Sequence, residues 1–290
     1  MSKFSFLYNK EEDIQYFDLL KSFCVAKNKI NYLIDNKLCL LNNKIASRET
    51  IVTMGDSIEV DTSAFDKIDF PPYEKDIKIL YEDDYLLVVE KPAKTIIYND
   101  NKCFSNALDN MVANYYVKTN QQHAVRHVHR LDTDTTGCVL YAKDIFTHGF
   151  LNNELEAHRF KKEYLTLVCG KIDNNGQINA KIGKNRHVSG KMIVSAKGQD
   201  AYTEFYPVEI HDKFTLCKVF IKTGRTHQIR VHMNYIGHPV VGDNLYGTAI
   251  KAERVMLHCF SIGFVHPITR QKIEVKSSMP KDFLEFMKED

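Results

Sequence analysis

Apolar residues recur along this chain at two spacings, and the spacing changes with position. In 14–25 (IQYFDLLKSFCV) and 27–36 (KNKINYLIDN) they fall three and four apart, which predicts two short helices. Ile30, Leu33 and Ile34 form one face of the second. Residues 37–44 (KLCLLNNK) predict a short strand entering an Asn-Asn turn. Residues 51–60 (IVTMGDSIEV) predict a turn at Gly55-Asp56 before an alternating strand. The stretch 61–76 (DTSAFDKIDFPPYEKD) follows neither period and carries Pro71-Pro72, a composition suited to an extended linker. The pattern predicts a small α/β module over 1–62, a linker over 63–76 and a larger domain over 77–290.

In that larger part, IKILYEDDYLLVVEKP reads as strand, turn and strand, ended by Pro92. Residues 105–117 form an amphipathic pattern with Ser105 as the expected N-cap. An apolar strand is predicted over 137–144 and a helix over 146–159. Residues 160–172, 201–210, 214–224, 255–267 and 272–278 have the β-branched and aromatic content of strands. A helix over 226–237 stops at Gly237, and another covers 280–288. Strands outnumber helices and often follow one another directly. That predicts an α+β fold with a mixed, largely antiparallel sheet, not a doubly wound one.

Composition narrows the class. With 44% hydrophobic and 26% charged residues, the chain reads as a folded protein, not as disordered, collagenous or coiled-coil. No apolar run reaches about 18 residues, so no membrane span is expected. The first residues show no secretory leader. The seven cysteines are scattered and make no CxxC, which predicts reduced thiols in a cytoplasmic protein. A net charge of +2 leaves the question of nucleic acid to local clusters. From Lys21 to Arg48 the chain sets Lys21, Lys27, Lys29, Lys37, Lys44 and Arg48 against Asp35 alone. From Lys181 to Lys197 it has Lys181, Lys184, Arg186, Lys191 and Lys197 with no acid. Each cluster suits a phosphate backbone or a solvated face.

The densest chemistry lies in 123–137, HAVRHVHRLDTDTTG. His127-x-His129 followed by Asp132 has the look of a metal site, although a di-zinc hydrolase would want a further His where Thr133 stands. Asp132-Thr133-Asp134-Thr135-Thr136 fits the D-x-D-x-T of a magnesium-dependent phosphatase. The preceding VRHVHRL is too polar for the buried strand such a nucleophile follows. Read as a calcium loop, the stretch puts Lys143 at the bidentate Glu position. The remaining reading is one working carboxylate, Asp132, beside arginine in a groove for a polyanion, with Asp134 and Thr136 as turn residues.

Segments elsewhere bear on that choice. HRLDTDTTG resembles the H-R-L-D-x-x-T-[ST]-G signature of the RluA-type pseudouridine synthases. ILYEDDYLLVVEKPA, RFKKEYLTLVCGKI, IKTGRTHQIRVHMNYIGHPVVGDNLYG and LHCFSIGFVHP resemble that family's other segments, in order, over most of 77–277. The N-terminal module more loosely resembles the small αL-type RNA-binding domain of a small-subunit ribosomal protein. Lys27-Asn28-Lys29 stands there where Ser-Arg is usual. Lys94 replaces the glycine that usually follows Lys91-Pro92-Ala93.

The resemblance implies isomerisation of uridine to pseudouridine in RNA, without cofactor or metal. It implies Asp132 as the catalytic carboxylate, Arg230 as its partner, and Tyr164 near the uracil, packing on the base and assisting proton removal from C5. Arg130 would fill the space left by the extruded nucleotide, and Leu257 would line the pocket. Lys27, Lys29, Lys37, Lys44, Arg48, Lys184, Arg186 and Lys191 are the candidate RNA-backbone contacts. His227 and His232 are read as structural or phosphate-contacting. Large-subunit ribosomal RNA is the expected substrate and a monomer the expected state. Transfer RNA, a non-catalytic ribosome assembly protein and the phosphatase are the alternatives. Removal of residues 1–70 is expected mainly to weaken RNA binding.

Overall fold

The computed structural model describes residues 2–99, 105–247 and 250–288; Cys103 lies outside them. The N-terminal part contains β1 (Lys3–Leu7), β2 (Ile14–Gln15), α1 (Tyr16–Lys21), α2 (Lys27–Asp35), β3 (Cys39–Leu41), β4 (Lys44–Ile45), β5 (Ile51–Val52) and β6 (Ser57–Asp61). A four-stranded sheet runs β1-β6-β3-β4, and β2 pairs with β5. Asn42 and Asn43 both take positive φ between β3 and β4, the geometry of a two-residue hairpin turn. Ile30, Leu33 and Ile34 are buried on α2.

The rest contains β7 (Lys78–Glu82), β8 (Leu86–Lys91), α3 (Leu108–Lys118), β9 (Thr136–Ala142), α4 (Ile145–Glu156), β10 (Lys161–Cys169), β11 (Gly176–Asn179), β12 (Ile182–Lys184), β13 (Met192–Val194), β14 (Tyr202–Ile210), β15 (Phe214–Ile221), α5 (Gln228–Tyr235), β16 (Leu257–Val265), β17 (Lys272–Lys276) and α6 (Lys281–Lys288). The fold is α+β. Its nine-stranded sheet runs β11-β14-β15-β10-β16-β9-β8-β7, with β17 also on β16. All its pairings are antiparallel except β16 with β9. The basic stretch 181–197 carries the separate hairpin β12–β13.

Two local expectations change. Helix α3 starts at Leu108 with Ala107 as its N-cap, and Ser105 instead hydrogen-bonds Asn110. The N–H groups of Leu108 and Asp109 donate to the carbonyls of Ile96 and Ile97, so the helix end is satisfied without a side-chain cap. Residues 63–76 hold little regular structure yet are anchored. Phe70 is buried, Val125 N donates to Asp69, and Asp66 is fully buried against Arg126 at 2.7 Å.

The N-terminal part is docked as well. Phe4 stacks on Phe146 of α4 with ring centroids 4.7 Å apart, and Phe23 meets the same ring edge-on. Arg270 lies over both Phe23 and Phe150. Gly149 makes the approach possible, because a β-carbon there would sit 2.5 Å from the Phe23 carbonyl oxygen. No helix among the described residues is long and apolar enough to cross a membrane, and the described cysteines are all free thiols.

Candidate active site

The parallel seam of the sheet builds the site. Gly137, near the start of β9, has φ +112, and a β-carbon there would lie 2.2 Å from the Cys259 carbonyl oxygen. Glycine therefore lets β9 run against β16. Gly137 sits opposite Cys259, and Cys259 opposite Tyr164 on β10. Asp132 lies in the turn before β9, and Leu257 opens β16. Asp132, Tyr164 and Leu257 thus meet along one cleft of about 620 Å³, which Arg130 also lines.

The turn is tied down through its backbone. Thr135 N donates to Asp132 O at 3.1 Å. Lys91, fully buried, donates Nζ to Thr133 O at 2.7 Å, and burial pushes its ammonium down to about 7. Arg254 donates to Asp134 O at 3.3 Å while gripping Asp282 of α6 with two hydrogen bonds. Thr136 Oγ1 pairs with His258 Nδ1 at 2.8 Å. Lys94, in the neighbouring turn, adopts φ +54, so the left-handed conformation suited to glycine is kept with a lysine.

Asp132 is 27% exposed, and its Oδ2 accepts from Arg230 Nη1 at 3.3 Å. The other edge of that guanidinium forks onto Asp243, with Nε to Oδ2 at 2.7 Å and Nη2 to Oδ1 at 2.9 Å. Asp243 is fully buried. Burial opposes the Arg230 charge, but Asp243 first and Asp132 second hold its pKa above the ordinary value. The guanidinium is therefore a fixed bridge between a buried carboxylate and one that faces the cleft.

His227 caps α5 in a left-handed conformation, φ +55. Its Nδ1 lies 3.0 Å from Tyr246 Oη and its Nε2 3.9 Å from Asp132 Oδ2. Burial lowers its pKa, and Asp132 partly offsets that. His232 is wholly buried between Thr203 and the Ala180 carbonyl.

Tyr164 is buried beside the Cys259 thiol. Burial first, then Cys259 and Asp132, hold its phenol well above the ordinary value. Arg130 is exposed at the rim, with Nη2 donating to Thr226 at 3.3 Å. His127 turns Nδ1 to the buried Asp109 at 3.0 Å and stacks on Tyr98. His129 instead accepts from Leu140 N. His127 and His129 thus turn to different partners. No group of three or more His, Cys, Asp or Glu among the described residues is arranged to hold an ion.

Lys27, Lys29, Lys37, Lys44, Lys184 and Arg186 are exposed. Arg48 is tied to Asp35 at 2.6 Å and to Asn31. Lys191 is half-buried with its ammonium 5.4 Å from the Tyr246 ring centre. The sequence reading assigned no role to Asp243, the anchor of the guanidinium. Its signal was present in the G-H-P-V-V-G-D run, but nothing in the order of residues says that it folds back on Arg230.

Residues 85–235 match the family described as RNA pseudouridylate synthase. The chain is 33% identical to the uncharacterized RNA pseudouridine synthase YhcT of Bacillus subtilis, over 95% of this chain and 93% of that one. It is 31% identical to ribosomal large subunit pseudouridine synthase D of Nitrosomonas europaea, over 89% and 78%. Among solved structures, human RNA pseudouridylate synthase domain containing 1 superposes with a TM-score of 0.60 at 27% identity, covering 72% of this chain and 85% of that one. The protein belongs to the RNA pseudouridylate synthase family and is an isomerase acting on RNA. The phosphatase and the purely RNA-binding readings fall with that finding.

Proposed function

We propose that the protein converts uridines of large-subunit ribosomal RNA to pseudouridine, with Asp132 as the group that acts on the ribose. The observation that carries this reading is the Asp132–Arg230–Asp243 chain, whose Asp132 end lines the cleft. The names of curated relatives that act on the large ribosomal subunit support the choice of RNA. The reaction breaks N1–C1′, turns the base and forms C5–C1′. C5 loses a proton and N1 gains one, so no atom is lost. A carboxylate must reach the sugar, at C1′ or at the C2′ proton. Arg230 holds Oδ2 of Asp132 in place, and among the described residues no side chain donates to its second oxygen.

The target base must leave its stack to enter. Leu257 and Tyr164 would form its apolar walls and Arg130 would occupy the place it vacates. The raised pKa of the Tyr164 phenol suits a wall and not a base, so we assign it to packing against uracil. Residues 1–62 are proposed as an αL-type RNA-binding unit, with Lys27, Lys29, Lys37 and Lys44 along the backbone of the substrate. The whole protein is proposed to act as a monomer in the cytoplasm.

Two measurements test this. Asp132→Asn should abolish tritium release from 5-tritiated uridine RNA, and retained turnover removes Asp132 from the chemistry. Pseudouridines mapped in total RNA with and without the gene should differ in large-subunit ribosomal RNA. A difference confined to transfer RNA would overturn the substrate assignment.

A further inference from the structure

Lys162 and Tyr164 stand two residues apart on β10, so their side chains leave the same face of the strand, and both line the cleft. Lys162 is only 7% exposed, yet among the described residues its ammonium has no carboxylate within 4 Å and no hydrogen-bond acceptor. Burial lowers its pKa, opposed only by Cys259. Its neighbourhood is kept open: Gly224 also lines the cleft, and a β-carbon there would lie 3.3 Å from Nζ. The fold therefore keeps an unpaired ammonium on the Tyr164 wall, its stem buried and its tip open to the cleft, where an incoming anion can reach it.

The reaction generates such an anion. When N1–C1′ breaks, the bonding pair stays on the uracil and spreads over N1, O2 and O4. We propose that Lys162 donates an N–H to a uracil carbonyl oxygen and stabilises the detached base until it is reattached through C5. The pair on C5 then forms the bond to C1′, C5 releases its proton and N1 takes one up. The lysine begins and ends as an ammonium. The inference rests on the reading that the Tyr164 wall holds the base while Asp132 faces the ribose.

The test uses the full chain and an RNA on which the wild-type protein releases tritium. Lys162→Met should lower kcat by about 10²-fold, the usual effect of losing one preorganised donor, with KM within about threefold. Its melting temperature should not fall, because no ion pair or hydrogen bond is lost. A fall in melting temperature together with activity, or failure to fold, would identify a structural lysine and overturn the proposal. Chromatography of RNA carrying 2-thiouridine or 4-thiouridine at the target position then locates the contact. One thio substitution should slow the wild type but add little to the loss in Lys162→Met, and Lys162→Gln should behave alike. Fully additive thio effects, or an unchanged kcat with a raised KM and a shallower salt dependence, sink the proposal; the latter marks a phosphate contact instead. Turnover retained in Asp132→Asn would count against the underlying site assignment, not against the lysine.

Discussion

The cleft and the N-terminal part both carry dense charge, and they hold it in opposite ways. Around Asp132 the charged side chains are fixed by others that are themselves buried: Asp132 by Arg230, Arg230 by Asp243, and the turn's carbonyls by Lys91 and Arg254. On α2, just after it and in the β3–β4 hairpin, Lys27, Lys29, Lys37 and Lys44 stand in solvent. The first arrangement fixes geometry, which a reaction needs. The second supplies a field, which a polyanion can meet in many registers. The comparison implies that single changes in the Asp132–Arg230–Asp243 chain act on kcat and stability together. Single changes on the N-terminal face should act weakly, on KM and its salt dependence.

The largest expected effect is at Asp243. Asp243→Asn leaves the guanidinium buried and half paired. Breaking such a pair costs about 3–5 kcal/mol and frees Arg230 to swing from Asp132. Tritium release should fall by about 10²-fold or more, since a misplacement near 1 Å at a reacting group has that consequence, and denaturant melts should show the loss of stability. Arg230→Lys should lose comparable activity with a smaller stability cost, because an ammonium cannot fork onto Asp243 and still reach Asp132. A wild-type rate in either variant would show that the chain of charges does not position the carboxylate.

Next in size is the seam between the two regions. Gly149→Ala drives a methyl group into the Phe23 carbonyl. Such overpacking costs about 1–3 kcal/mol, read as a lower melting temperature with kcat little changed. Deleting residues 1–70 goes further than a loss of affinity. It bares Phe146 and strips Asp66 from Arg126, so the truncated chain should aggregate or melt early. A soluble truncation with wild-type melting would mean that this interface contributes nothing to the catalytic part.

How much of this the sequence reveals follows the same division. The α+β class and the helices at 145–156 and 228–235 follow from periodicity, whereas residues 132, 164, 230 and 257 were singled out through resemblance to a family's motifs. Gly137 ends one of those motifs, and no other residue fits against Cys259. Asp243 and Lys162 were out of reach because their meaning lies in a partner gained, or lacking, only after folding. Ser105 misled because a cap signal cannot show that the carbonyls of Ile96 and Ile97 already satisfy the helix end. Residues 63–76 read as a linker because their anchors, Phe70 and Asp66, lie among residues that look like spacer.

The smallest effects discriminate within the N-terminal face. Lys27 and Arg48 look equivalent in the sequence, one cation each in the same basic stretch. Arg48 is already spent on Asp35 and Asn31, whereas Lys27 is exposed. If the exposed lysines meet RNA phosphates, Lys27→Gln should weaken binding modestly and lower the slope of log affinity against log salt by about one. Arg48→Gln should leave that slope alone and cost about 0–1 kcal/mol, as surface ion pairs do. Filter binding across a salt series, paired with thermal melts, separates the two. Equal slopes for both variants would mean that pairing does not decide which cations meet the RNA. The contrast between an interlocked cleft and a loosely held charged face would then fail at its weaker end.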